Sequence, residues 1–146
     1  MNSEEKSEKL KRVLLNWQKS MSDFDEVNVR QAMRSTTKAD VAIRMCHPFG
    51  DLENSDNIYE KIYSPLNASL PDLERRDLIV IAGCTPEGDN WIGCMGNYMG
   101  TFLAPFLGIP ATGRLAHMRY HEFFRIEEDK ISEMHFIWDI PELMMQ

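Results

Sequence analysis

No stretch of the 146 residues is apolar for long enough to span a bilayer. Cysteine is scarce. Cys46, Cys84 and Cys94 are an odd number without a Cys-x-x-Cys pair, which speaks against a disulfide framework and against a zinc site. Positive charge is in deficit, with 16 Lys and Arg against 23 Asp and Glu and a formal net charge of −7. Nucleic acid and anionic membrane both demand a basic surface, so neither is expected as a partner. Met1 to Lys6 is polar and charged with no signal-peptide core behind it, so a cytoplasmic location is expected. A glycine-rich phosphate loop, a nucleophile elbow and a His-Glu-x-x-His motif are all missing. Nucleotide and metal chemistry therefore have no support in the sequence.

What is there is an ordinary globular composition, 43% apolar and 27% charged. The length suits one domain over residues 1–146, large enough for a substantial core. Ten methionines are many. They serve as flexible core filler, and they also suit an adaptable apolar pocket.

Periodicity places helices first. Leu10, Val13, Leu14 and Trp17 recur at helical spacing over residues 4 to about 20. Ser22-Asp23 is a capping signal for a second helix carrying Phe24, Val27, Val29 and Met33. Val41 to Met45 alternates as a short strand, and His47-Pro48-Phe49-Gly50-Asp51 is a turn by composition. A third helix from Asn54 to about Leu70 carries Ile58, Tyr59, Ile62, Tyr63 and Leu66, with Pro65 as a kink or break. Strands follow at Asp77–Ala82, Trp91 to about Phe102, Arg114–Ile126 and Ile131–Asp139, separated by turn-rich segments. Helices followed by a meander make an α+β fold, with helices on one face of a curved antiparallel sheet.

The last hairpin can be phased. With Glu128-Asp129 as a two-residue turn, Glu127 faces Lys130, Glu122 faces His135, and Met118 faces Asp139. Alternation then sets Ala116, Met118, Tyr120, Glu122, Phe124, Ile126, Ile131, Glu133, His135, Ile137 and Asp139 on one face. His117, Arg119, His121, Phe123, Arg125, Met134, Phe136 and Trp138 take the other. A bulge would break this register. The first face is apolar with a few polar groups set into it, the pattern of a small-molecule site. Burial there would bring the Asp139 carboxyl nearer the range where it exchanges protons, and a Glu122–His135 pair would orient an imidazole. The structural alternative has Asp139 capping a tail helix ahead of Pro141. Met118 and Tyr120 would line the pocket, with His47 at its mouth. Tyr98 stands on a strand between Gly96 and Gly100, which leave room for a ligand or a bend. On the second face, Phe123, Phe136 and Trp138 form an apolar stripe suited to a homodimer interface.

Several runs carry a resemblance. Gly96-Asn97-Tyr98-Met99-Gly100, Phe106-Leu107-Gly108-Ile109-Pro110-Ala111-Thr112-Gly113-Arg114, the segment from Phe124 to Glu133 and the downstream Asp139 are similar to the SnoaL-like polyketide cyclases. These belong to the broad nuclear-transport-factor-2-like superfamily. Pro48-Phe49-Gly50 and Pro71-Asp72-Leu73 fit as well. The resemblance implies a cone in which N-terminal helices wrap a curved antiparallel sheet around an apolar cavity, usually in a homodimer. It also implies a cofactor-independent aldol cyclisation with an aspartate near the end of the last strand as general acid/base, the position of Asp139. Tyr98 holds the place of an assisting histidine, and His135 that of a frequent tryptophan.

Two functions follow. In the first, Asp139 removes a proton alpha to a carbonyl of a small apolar substrate, and Tyr98, Tyr120 or His135 stabilises the enolate. Cyclisation, isomerisation of the ketosteroid type and dehydration share that step. In the second, the same fold serves as a non-catalytic ligand-binding or dimerisation module.

Overall fold

The computed structural model describes residues 2–146. Three helices open the chain: α1 (Ser3–Val13), α2 (Leu15–Ser22) and α3 (Glu26–Thr36). The first begins in a capping box, where the Asn2 side chain accepts from the Glu5 N–H at 2.8 Å and the Glu5 carboxylate accepts from the Asn2 N–H at 3.1 Å. The expected single helix to residue 20 is broken at Leu14, whose N–H turns back to the Lys11 carbonyl. Both Leu14 and Trp17 are thereby fully buried. Asp25, not Ser22-Asp23, caps α3 by accepting from the Asn28 N–H.

Strand β1 (Thr37–Met45) and the short β2 (Asp51–Leu52) flank the turn that holds His47 and a cis Pro48. The next helical stretch starts where Asn54 caps it. It runs through α4 (Ser55–Ile58), a π-helical turn (Tyr59–Tyr63) and α5 (Ser64–Ser69). Pro65 does not end the stretch; it falls in the first turn of α5, directly after the π turn. The wider π turn brings Tyr59, Ile62 and Tyr63 to the interior.

The remaining strands, β3 (Glu74–Cys84), β4 (Asn90–Thr101), β5 (Leu115–Glu127) and β6 (Lys130–Trp138), form an antiparallel meander. Strand β1 adds to its open side, parallel to β6, giving the order β2-β1-β6-β5-β4-β3. The architecture is the expected α+β one, with the helices packed on the inner face of a six-stranded sheet. That face is closed by aromatic pairs such as Trp17–Phe124 and Phe124–Phe136, at ring separations of 5.7 and 5.3 Å.

The hairpin from β5 to β6 departs from the simple register. Glu128 and Asp129 both take positive φ and make the expected two-residue turn, and Glu127 faces Lys130. Ile126 faces Ile131, but Arg125 then faces Glu133. Ser132 is an extra residue, a bulge, with its hydroxyl donating to the Arg125 carbonyl at 3.3 Å. Everything beyond it is shifted by one. Met134, Phe136 and Trp138 turn inward and are buried, while Glu133, His135 and Ile137 turn outward.

Strand β6 ends at the Tyr120–Trp138 pair, and α6 (Ile140–Met144) continues alongside β5. Its side chains complete the exposed edge. The Arg119 N–H donates to Glu142 at 3.2 Å, and Gln146 both accepts from the His117 N–H and donates to the His117 carbonyl. No helix among the described residues is long and apolar enough to cross a membrane.

Candidate functional site

One buried polar cluster stands out in the apolar interior. It draws Arg75 and Asp77 from β3, Tyr98 from β4, Tyr120 and Glu122 from β5, Trp138 from β6 and Tyr63 from the π turn. Strand alternation puts all six sheet residues on the inner face. Arg75 lies beside Tyr98 in register, and Asp77 lies beside Gly96, which lies beside Tyr120. Because Gly96 has no side chain, the Tyr120 phenol leans across β4 and donates to Asp77 at 2.5 Å.

Glu122 is the centre. It has no exposure, and its Oε2 accepts from the Tyr98 hydroxyl at 2.7 Å and from the Trp138 indole N–H at 2.8 Å. Its Oε1 is paired with Nη1 of Arg75. Arg75 also donates to Tyr98 at 2.8 Å and, through Nη2, to Asp77 at 3.0 Å. Its guanidinium carbon lies 4.2 Å from the Tyr120 ring centroid. Tyr98 has a single hydroxyl proton and gives it to Glu122. The 2.8 Å contact between the Tyr63 and Tyr98 hydroxyls is therefore donated by Tyr63. Each polar group has a partner, as a buried network requires.

The electrostatics follow from burial. Desolvation, then the charge of Glu122, holds the Tyr63 and Tyr98 phenols well above their ordinary range, so both remain protonated donors. Burial raises Tyr120 as well. Burial opposes the charge of Arg75, but Glu122, the tyrosines and Asp77 outweigh it and raise the group further. Cys94, facing Glu122 across the ladder, is pushed up to about 12 by burial and is no thiolate nucleophile. Two carboxylates share one guanidinium here. Among the described residues no group of three His, Cys, Asp or Glu side chains could hold a metal.

The sequence-predicted residues divide into two groups. Tyr98, Tyr120 and Glu122 meet in the cluster, with Met118 buried on the same face beside Tyr98 in register. His135, Asp139 and His47 do not join them. The expected Glu122–His135 pair is corrected to Glu122–Phe136 by the Ser132 bulge. His135 lies on the outer face, 3.5 Å from Glu133 and with its ring 5.8 Å from that of Trp91. Phe136 and Trp138, expected in the outer stripe, are interior. Asp139 is exposed, and its Oδ1 accepts from the Glu142 N–H at 3.0 Å as the cap of α6. Replacing it by alanine should lower stability by about 1 kcal/mol in urea titration, whereas asparagine should retain most of the cap. His47 is exposed in the β1–β2 turn.

Sequence reasoning missed Arg75, Asp77, Tyr63 and Trp138 as site residues. A signal for the first two exists: an arginine and an aspartate two apart, leading into Leu78-Ile79-Val80-Ile81, share one face of that strand. Trp138 was lost to the bulge, which leaves no mark in composition.

The sequence pattern of the SnoaL-like polyketide cyclase matches residues 61–146, more than half of the chain and all of the sheet from β3 onward. The chain belongs to the SnoaL-like polyketide cyclase family. No curated protein matches it in sequence. Among solved structures, a protein assigned to the SnoaL-like polyketide cyclases from Jannaschia sp. CCS1 is 17% identical, with 96% of this chain and 94% of that chain covered and a TM-score of 0.75. IdmH of Streptomyces antibioticus, assigned as a polyketide cyclase, is 15% identical, with 93% and 96% covered and a TM-score of 0.75. An NTF2-like protein of Burkholderia thailandensis is 14% identical, with 100% and 99% covered and a TM-score of 0.69. At these identities the likeness to this family member is one of fold.

Proposed function

We propose that this SnoaL-like chain is a cofactor-independent acid/base enzyme for a small apolar carbonyl compound, with Glu122 and Tyr98 as the reacting pair and Asp139 as a structural cap. The observation that carries this reading is the Glu122 carboxylate, fully buried yet hydrogen-bonded to a phenol, in a core packed with aromatic rings. Apolar residues of similar volume would give a core at least as stable, so a buried charge cluster in this core supports a functional reading.

The chemistry follows from one hydrogen-bond exchange. A ligand carbonyl arriving at Tyr98 takes over the phenol proton's hydrogen bond. That frees a lone pair on Glu122 Oε2, which accepts the proton alpha to the carbonyl. The C–H electron pair moves into the enolate, whose oxygen is stabilised by Tyr98, with Arg75 behind it. In an aldol closure the enolate carbon then attacks a second carbonyl, and the proton held by Glu122 returns to the new alkoxide. Tyr63 packs against Tyr98 through its hydroxyl. It sits in the π turn, and because Tyr98 is fully buried a ligand reaches it only if neighbouring side chains such as Tyr63 shift.

The test is deuterium exchange alpha to the carbonyl of small aryl and cyclic ketones, followed by proton NMR. Glu122→Gln and Tyr98→Phe should each slow exchange by about a hundredfold or more, and Asp139→Asn by less than about tenfold. The opposite ranking would return the base role to Asp139. A wild-type protein that exchanges none of the ketones would favour the non-catalytic module, which draws on the closed, side-chain-filled interior.

The outer sheet face supports a second reading of the same protein, as a homodimer. Rows of residues in register across β3, β4, β5 and β6 read Ile79-Met95-His121-Ile137 and Ile81-Gly93-Phe123-His135. Ile79, Ile81, Phe123 and Ile137 are 50%, 60%, 41% and 61% exposed. Polar rows bound them, Arg76-Asn97-Arg119 on one side and Arg125-Glu133 on the other. An apolar centre with a charged rim is the anatomy of an interface. Strand and row spacings give the face, rim rows included, roughly 500 Å² in plan, against ~800 Å² per partner for a standard dimer. Ile137→Asp should be monomeric in sedimentation velocity, and a dimer that survives it overturns this reading.

A further inference from the structure

We infer that Tyr120 is a second hydrogen-bond donor of the site and takes a second oxygen of the ligand, which is then a ketone carrying another carbonyl or hydroxyl along its chain. The inference rests on the Glu122 and Tyr98 reading above and assigns a role to the other half of the cluster.

The cluster is a doubled arrangement about one guanidinium. Tyr98 donates to Glu122 at 2.7 Å, and Tyr120 donates to Asp77 at 2.5 Å. Arg75 serves the first pair through Nη1. It serves Asp77 through Nε at 3.2 Å and Nη2 at 3.0 Å. The two phenol rings stand side by side on β4 and β5, with centroids 4.9 Å apart. Burial holds both phenols above their ordinary range, so both remain donors, yet the acid/base steps above use only the first pair.

The pairs differ in exposure, and that separates their roles. Glu122 has no contact with water. When Tyr98 turns to a ligand, nothing replaces the lost donor, and a lone pair is left for a proton. The Asp77 side chain is 16% exposed and keeps its contacts with Arg75. When Tyr120 turns to a ligand, water takes its place on Asp77, so the second phenol is released at little cost and leaves no base behind.

The position suits a second oxygen. The Tyr120 hydroxyl lies over Gly96, where a Cβ would come within 2.6 Å of it. Tyr98 is two residues further along β4, on the same face. In ring closure the second oxygen belongs to the attacked carbonyl. As the enolate carbon bonds to its carbon, the C=O electron pair moves to oxygen, where Tyr120 stabilises it until the proton held by Glu122 arrives. A purely structural Tyr120, tying β5 to β3 across Gly96, would not distinguish ligands with one oxygen from ligands with two.

Heptan-2-one and heptane-2,6-dione differ in that respect. Binding to the full chain is followed by ligand-observed NMR titration, and deuterium exchange alpha to the carbonyl is divided by each ketone's rate in buffer. Wild type should favour the diketone by about tenfold in both, beyond the factor of about two due to its equivalent carbonyls. Tyr120→Phe should lose that preference to within about threefold, with near-UV circular dichroism unchanged. Asp77→Asn keeps an acceptor that holds the phenol proton less strongly than a carboxylate, so the ratio of diketone to monoketone dissociation constants should fall below the wild-type value. A wild type that treats the two ketones alike, or a Tyr120→Phe that keeps the preference, overturns the second-donor role and leaves the Glu122 and Tyr98 reading standing. An unchanged ratio in Asp77→Asn overturns it as well, including where Tyr120→Phe does not fold. A binding preference without exchange of either ketone keeps Tyr120 as a donor and overturns the acid/base chemistry. Binding of neither overturns both.

Discussion

Arg75→Met should lower the unfolding free energy by about 3–5 kcal/mol, the cost of leaving buried carboxylates without their counter-charge. In a chain of this length that is a fall in Tm of roughly 10 °C. The size of the effect comes from where the partners sit. Arg75 and Glu122 have no side-chain exposure, and Asp77 retains only 16%. A surface ion pair removed in the same way would cost well under about 1 kcal/mol. The prediction has a built-in control. Adding Glu122→Gln and Asp77→Asn to Arg75→Met removes the stranded charges, so the triple variant should recover much of the loss. Urea titration of the single, the triple and the intermediate doubles measures that coupling directly. A single variant losing less than about 1 kcal/mol would mean that the two carboxylates do not depend on the guanidinium, and the electrostatic picture of the site would be wrong.

Gly96→Ala should be equally damaging, by at least about 3 kcal/mol, for a steric reason. A Cβ at this position would overlap the backbone carbonyl oxygen of Arg76 and come within 2.6 Å of the Tyr120 hydroxyl. The first obstacle is main chain of the neighbouring strand and cannot swing aside, so β3 and β4 must separate locally. The second is the phenol that reaches Asp77, so the same methyl group breaks the polar cluster. Gly83, on the same pair of strands beside Trp91, has nothing within 4 Å of its would-be Cβ. Gly83→Ala should therefore lie within about 0.5 kcal/mol of wild type. Equal effects at the two glycines would show that strand propensity, and not the close approach at Gly96, sets the cost.

The elements were legible because their residues follow the periods of helix and strand. Leu14 and Trp17, Val29 and Met33, and Ile58, Ile62 and Leu66 all reach the core as their spacing requires. Strand β5 alternates buried and exposed over nearly its whole length, which is why Tyr120, Glu122 and Met118 were placed correctly. Tyr98 was found through the glycines beside it. Three things could not be read. The break at Leu14 costs little and breaks no periodicity, since Leu14 and Trp17 are buried on either side of it. The joining of β1 to β6 is a contact between distant parts of the chain. The third was the phase of β6, which depends on a single uncompensated residue at Ser132, a residue type that is ordinary in any strand. That one omission set His135 and Asp139 on the inner face on paper and Trp138 on the outer one. Arg75 was missed for another reason: charged residues at a strand start read as solvated unless a partner is known to lie opposite.

The bulge at Ser132 also bears on how such a site can change. Beyond it, β6 works like a reading frame: each side chain's face is decided by a count and not by its chemistry. A residue inserted between Ser132 and Trp138 would exchange the whole set, sending Met134, Phe136 or Trp138 to the surface and bringing polar neighbours in, with no substitution at all. Lineages built on this strand could thus switch which groups meet the core by gaining or losing one codon, and two aspartates that align letter for letter need not look in the same direction.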